Sequence, residues 1–151
     1  MKPRGLWLSY DQEWKEWCDA EGFATCNMDT CYIYSANLQK DSLCIIDSLE
    51  SLDAFQEKYQ NKSSYIDWHT VAQDYDGISF ENYYDVKKAY LYTSKSIRDI
   101  WILGVDVNSV CIWNPSKVIK DWACERTGRE HTIPLQMTND SSIRFQVHAT
   151  V

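Results

Sequence analysis

The sequence predicts a single α+β domain over residues 1–151, and three observations carry that expectation. Short stretches of alternating or continuous apolar residues recur at 5–9, 31–34, 43–47, 109–113 and 143–147, as strands do. Stretches with three- and four-residue apolar spacing lie between the first four of them, as amphipathic helices do. The length of 151 residues is enough to bury about two-thirds of the chain surface, which supports one real core.

In chain order, Pro3 and Gly5 lead into a strand through Leu6, Trp7, Leu8 and Ser9. From Asp11, a natural N-cap, Trp14, Trp17 and Cys18 mark the apolar side of a helix that Gly22 ends. Strands at 31–34 and 43–47 are separated by a turn over 37–41. Asp47 or Ser48 caps a second helix with Leu49, Leu52, Phe55 and Tyr59 on one face, ending in the polar run 60–64. Asp67 caps a third, with Trp68, Val71 and Ala72 inward, and Tyr75-Asp76-Gly77 turns into Ile78-Ser79-Phe80. Residues 83–101 read as an insertion carrying a loop or helix. After the strand at 109–113, Pro115 and Ser116 start a short helix or turn through Val118 and Ile119, and Ile143, Phe145 and Val147 alternate in a last strand.

Composition narrows the function. A net charge of −7 argues against a surface that grips phosphate backbones throughout, because that affinity comes from Lys and Arg displacing counterions. Lys2 with Arg4, Lys87 with Lys88, and Lys120, Arg126 and Arg129 are local basic groups, which solvated surface charge also explains. No run of 18 apolar residues and no basic-then-apolar leader occurs, so a cytoplasmic protein with no membrane partner is expected. The six cysteines, at 18, 26, 31, 44, 111 and 124, contain no CxxC pair, and reduced thiols without a metal are the expectation. The 14% aromatic content, with seven Trp and ten Tyr, fills a core or lines a cleft for flat ligands. Phosphate-loop, Gly-x-Ser-x-Gly, His-Glu-x-x-His and kinase motifs do not occur.

Four stretches carry a resemblance: Lys2-Pro3-Arg4-Gly5-Leu6-Trp7-Leu8-Ser9, the run from Ile45 to Phe55, Ile66 through Tyr75-Asp76-Gly77-Ile78, and Ser109-Val110-Cys111-Ile112-Trp113-Asn114. In this order they resemble a phage and bacterial family that looks like small relatives of the ADP-ribosyltransferase fold. The resemblance spans roughly residues 2–120. It implies split antiparallel sheets flanked by short helices, with NAD as substrate held bent in a cleft between them. It also implies transfer of ADP-ribose to a host macromolecule in conflict between phage and bacterium, protein being favoured over nucleic acid by the net charge. The alternative within the same fold is a non-catalytic module that binds a nucleotide or a protein and acts as an inhibitor.

Such a transfer passes through a positively charged ribose, which a carboxylate stabilises. The strand at 109–113 matches the one that usually begins with the catalytic Glu, and here it holds none. Asp106 is therefore the first candidate, with Ser109 as its hydrogen-bonding neighbour, and Glu81 the second. The family's first strand, which carries a ribose-anchoring His, is missing ahead of Lys2. The stretch 145–151 has its shape, so a circular permutation that supplies His148 is the expectation. By the same resemblance Trp7 and Ser9 line the cleft, with Tyr10 at its rim. Arg4, with Lys2, meets the pyrophosphate, and Tyr83 and Tyr84 either stack on nicotinamide or adenine or fill the core, readings to which their residue type gives equal weight. His69 reads as structural.

Overall fold

The protein is described by a computed structural model over residues 2–22, 32–93, 101–126, 133–134 and 147–149. Strands β1 (Leu6–Tyr10), β2 (Tyr32–Leu38), β3 (Leu43–Ile46), β4 (Gly77–Phe80), β5 (Ser109–Ile112), β6 (Ile119–Arg126), β7 (Ile133–Pro134) and β8 (Val147–Ala149) form one mixed sheet in the order β3-β4-β5-β1-β8-β2-β6-β7. Helices α1 (Glu13–Glu21), α2 (Leu49–Tyr59), α3 (Trp68–Asp74), α4 (Tyr83–Thr93) and the short α5 (Pro115–Val118) complete an α+β architecture. β3 and β4 run parallel, and α2 and α3 supply the long crossover that a parallel pair requires.

The expected pair of antiparallel sheets is replaced by a continuous ladder, and the reason is β8. It lies parallel to β1, with Leu8 opposite Val147, Ser9 opposite His148 and Tyr10 opposite Ala149, and touches β2 through Tyr34 and Val147. In the sheet order, the half β3-β4-β5-β1 meets the half β2-β6-β7 only across β8. β8 thus stands beside β1, and Ile143 and Phe145 of the anticipated strand fall outside the described residues.

Local chemistry explains the helix ends. Ser48 caps α2 by accepting from the Ser51 amide at 3.2 Å, while the Ser51 hydroxyl accepts from the Ser48 amide at 3.0 Å, so two otherwise orphaned donors are satisfied reciprocally. Asp67 caps α3 by accepting from Thr70, both from its amide and from its hydroxyl. Gly22 closes α1 in the left-handed region at φ 62°. Asp11 does not cap α1. Its own φ is 49°, and Gln12 takes the N-cap position without a side-chain bond.

Two apolar clusters occupy opposite faces of the sheet, because neighbouring residues on a strand point to opposite sides. One packs Cys44, Ile46, Ile78, Phe80 and Cys111 under α2, α3 and α4. Its centre is aromatic: Phe55 lies 5.0 Å from Tyr59, 5.9 Å from Trp68 and 5.5 Å from Trp101 between ring centroids. Such pairs add about 0.5–1.5 kcal/mol each beyond the area they bury. The other cluster gathers Leu8, Ala36, Leu43, Val110, Ile112 and Val118.

The α3–β4 turn is locked to the end of β5. The backbone carbonyl of Asp76 accepts from the amides of Trp113 and Asn114, its carboxylate accepts from Asn114 Nδ2 at 3.0 Å, and Trp113 Nε1 donates to the Tyr75 carbonyl at 2.6 Å. Gly77 must be glycine here, since a Cβ would stand 2.7 Å from the Cys111 carbonyl oxygen.

Two further expectations change. Ala72 is exposed, leaving Val71 as the buried residue of α3. Residues 119–126, expected as no more than the end of a turn, form β6 along the whole of β2. Its polar sequence is tolerated because Lys120, Asp121 and Ala123 are exposed while Trp122 and Ile119 pack against the second cluster. No helix among the described residues is long and apolar enough to cross a membrane.

Candidate functional site

Period-two alternation along β4 buries Ile78 and Phe80 in the aromatic cluster and sends Ser79, and Glu81 just beyond the strand, to the opposite side. Tyr10, at the end of β1, reaches the same point across β5. Its hydroxyl lies 2.5 Å from Ser79 Oγ, and Ser79 Oγ donates to Glu81 Oε1 at 3.0 Å. With that proton committed, Tyr10 donates to Ser79, and a longer contact of 3.5 Å runs from Tyr10 to the same carboxylate oxygen. Lys40, from the β2–β3 turn, adds an ammonium 3.0 Å from Glu81 Oε1 and stands 5.0 Å over the Tyr10 ring. The backbone is fixed as well, because the Glu81 amide donates to the Ile46 carbonyl at 2.8 Å.

Two donors, Ser79 and Lys40, therefore converge on one oxygen of Glu81, with the Tyr10 hydroxyl 3.5 Å away. The other, Oε2, has no hydrogen-bond partner among the described residues, and the side chain is 31% exposed. Burial is the largest influence on Tyr10 and raises its pKa above the ordinary value against the pull of Ser79 and Lys40, so the phenol stays a neutral donor at physiological pH. For Lys40, burial opposes the charge, but the hydrogen bond to Glu81, the neighbouring Tyr10 oxygen and the Glu81 charge together outweigh it and hold the ammonium above its usual pKa. The result is a half-exposed carboxylate, oriented through one oxygen and open at the other, at the end of a buried strand.

Asp106 has a looser setting. It pairs with Lys2 at 3.7 Å, with the Lys2 side chain 45% exposed, in the segment between the 3₁₀ turn 102–104 and β5. Ser109 does not serve it: the Ser109 hydroxyl is buried and donates to the Val107 carbonyl at 3.0 Å. The firmest polar contacts of this segment belong to Asn108, whose amide and Nδ2 donate to the two carboxylate oxygens of Glu13, and whose Oδ1 accepts from the Tyr83 amide at 2.7 Å.

The remaining expected residues divide. Trp7, half-buried, stacks on Phe80 at 6.1 Å with its ring planes 8° apart, and Tyr83 is buried in the aromatic cluster with its hydroxyl donating to the Ile102 carbonyl. Ser9 is buried on β1. Arg4 is exposed and has no ion-pair partner among the described residues. Tyr84 keeps an exposed ring that meets the edge of Tyr83. His148 stands in register with Ser9 on β8, beside β1. His69 is exposed, next to Gln73.

Sequence reasoning named Glu81 and placed Tyr10 at a rim, but it missed Lys40 and Ser79. A signal for Ser79 was present, since alternation in Ile78-Ser79-Phe80-Glu81 puts a hydroxyl and a carboxylate on one face. Lys40 had none, because only tertiary packing brings it to a residue 41 positions away. No protein-family model, no curated protein and no solved structure matches the chain.

Proposed function

We propose that the protein is an NAD-dependent ADP-ribosyltransferase that modifies a macromolecule, with Glu81 rather than Asp106 as the carboxylate that meets the sugar. The observation that carries the reading is the geometry of Glu81: Ser79 and Lys40 hold one oxygen, the other has no hydrogen-bond partner among the described residues, and the side chain is 31% exposed. An electrostatic group oriented in advance loses little to reorganisation when charge develops.

The residues fit NAD in part. Glu81 supplies the acid, and Lys40 supplies a cation for the anionic diphosphate. Trp7 and Tyr83 do not supply the aromatic platform, which leaves Tyr84 as the exposed ring nearest in sequence. In the transfer, the bond between ribose C1′ and the nicotinamide nitrogen breaks and its electron pair leaves with nicotinamide. A lone pair of the acceptor forms the new bond to C1′, and the acceptor's proton passes to solvent. Glu81 Oε2 stabilises the positive charge on the sugar. Tyr10 and Ser79 keep the carboxylate in place.

The net charge of −7 favours a protein acceptor, and a host macromolecule follows from the resemblance to the phage family. A second reading, a module that binds a nucleotide without turning it over, is favoured by the Lys40 ion pair, which neutralises the acid when no ligand is bound.

Incubation with labelled NAD and a bacterial lysate tests both. Release of nicotinamide and transfer of label, lost in Glu81→Gln and kept in Asp106→Ala, support the enzyme. Loss in Asp106→Ala alone would move the acid to residue 106. NAD-dependent thermal stabilisation without nicotinamide release selects the binding module. Absence of release, transfer and stabilisation, the last expected near 2.7 kcal/mol at a hundredfold excess over Kd, rejects NAD altogether.

A further inference from the structure

Helix α4 is amphipathic in an unusual sense. Tyr83, Val86 and Tyr90 bury one side in the aromatic cluster, while the outer side carries Tyr84, Leu91 and Tyr92 at 57%, 56% and 83% exposure. Five large apolar side chains are exposed among the described residues, and three of them stand on this one helix. With Lys87 and Lys88 they line a surface groove of about 450 Å³. Lys87 also lies 5.6 Å over the Tyr83 ring, and neither lysine has an acidic ion-pair partner among the described residues.

The groove has an electrical direction. At its N-terminal end, burial and then the negative charges of Glu13, Glu16 and Asp106 raise the pKa of Tyr84. One turn further along, Lys87 and Lys88 present two unneutralised ammonium groups. Isolated apolar residues on a surface need no explanation, but an apolar groove flanked by unpaired charge fits a partner with the reverse pattern.

We propose that this groove docks an amphipathic helical segment of another protein, its apolar side chains set between Tyr84, Leu91 and Tyr92 and its carboxylates against Lys87 and Lys88. The segment's end near Tyr84 carries a basic residue or none. Apolar anchors supply affinity, and the charges fix direction. A nucleic acid strand fits less well: two lysines displace few counterions, on a chain of net charge −7. The groove shares Tyr84 with the NAD reading but does not use Glu81, and the variants that test it, at Lys87, Lys88, Leu91 and Tyr92, leave both residues in place.

The test is selection of 16-residue peptides from a random displayed library on the full chain, followed by binding of the synthesised winners to variants. The expected winners place apolar residues at helical i, i+3, i+4 and i+7 spacing with Asp or Glu beside them. Leu91→Ser with Tyr92→Ser weakens them at least tenfold. Lys87→Glu with Lys88→Glu weakens them by a similar factor and, used as the bait, selects basic peptides instead. All four positions lie on the outer side of α4, and an unchanged thermal midpoint confirms that each variant is folded. Failure to enrich any peptide, winners without acids, winners that bind Leu91→Ser/Tyr92→Ser undiminished, or displacement of the winners by a 20-residue oligothymidylate would each overturn the proposal.

Discussion

Glu81 and Asp106 are both half-exposed acids paired with a lysine, yet they are held in different ways. Glu81 follows a buried strand, its amide is tied to Ile46, and two donors meet its Oε1, with the Tyr10 hydroxyl 3.5 Å away. Asp106 sits between elements and has one ion pair, 3.7 Å long, with a lysine second from the N-terminus. A carboxylate becomes a catalytic tool when its surroundings fix where its charge points, and rigid elements do this better than connecting segments. Adjacency to the Cys-Ile-Trp motif favoured Asp106; the hydrogen bonds favour Glu81.

The largest expected effect separates the two acids directly. On the proposed transferase reading, Glu81→Gln lowers nicotinamide release by about 10²–10³-fold, the scale of losing one oriented electrostatic group, while Asp106→Asn stays within about twofold by chromatographic assay. Equal losses would show that the difference in anchoring has no functional meaning.

Ser79→Ala comes next. It removes the hydroxyl that bridges Tyr10 and Glu81 in a buried site and leaves the phenol with only the 3.5 Å contact. Urea denaturation should record a loss of about 1–3 kcal/mol, and a loss below that range would make the bridge incidental.

Tyr10→Phe should cost about 0.5–1.5 kcal/mol, since the packing is kept and one hydrogen bond is lost. The same residue sharpens the comparison through pH. Its folded-state pKa is raised, so its contribution is complete below the unfolded value of about 10 and declines as pH rises through the folded value. The buried thiols act with the same sign, with Cys44 pushed up to about 11 and Cys111 to about 12 by burial. Stability should therefore fall above about pH 9, where unfolded thiols begin to ionise, and Tyr10→Phe should lessen the part of that fall above pH 10. The folded protein should also leave Cys44 and Cys111 unreactive toward iodoacetamide at pH 8. Rapid alkylation of either would contradict their burial.

The smallest effect belongs to the other acid. Lys2→Ala should change stability by about 0–1 kcal/mol and lose even that in high salt, because an exposed, long ion pair is weak and screened. A larger loss would mean that Asp106 is anchored as firmly as Glu81.

The motifs that stood out most in the sequence turn out to serve architecture. Tyr75-Asp76-Gly77 and Trp113-Asn114 bind each other, so the Asp-Gly turn and the Cys-Ile-Trp strand are two halves of one clamp between β4 and β5. Their order along the chain was visible; their contact was not. The same holds for Tyr83, a ring that residue type made attractive as a stacking partner and that packing buries, and for Trp7, half-buried against Phe80. β6 escaped notice because its register along β2 is set by backbone pairing, while Lys120, Asp121 and Ala123 are exposed and leave no apolar alternation to read.

What the sequence determined alone is local: helix caps at Ser48 and Asp67, the glycine stop at Gly22, the amphipathic face of α2, and the alternation that sends Ser79 and Glu81 away from the aromatic cluster. Each follows from backbone periodicity and from hydrogen bonds that span a few residues. Only the tertiary structure decided that β8 would join β1 to β2, that Tyr10 would cross β5 to Ser79, and that Lys40 would close on Glu81. Those contacts link residues 41 to 139 positions apart, with 41 separating Lys40 from Glu81 and 139 separating Leu8 from Val147. At that range the neighbour is chosen by how the whole sheet packs, and no local pattern encodes it.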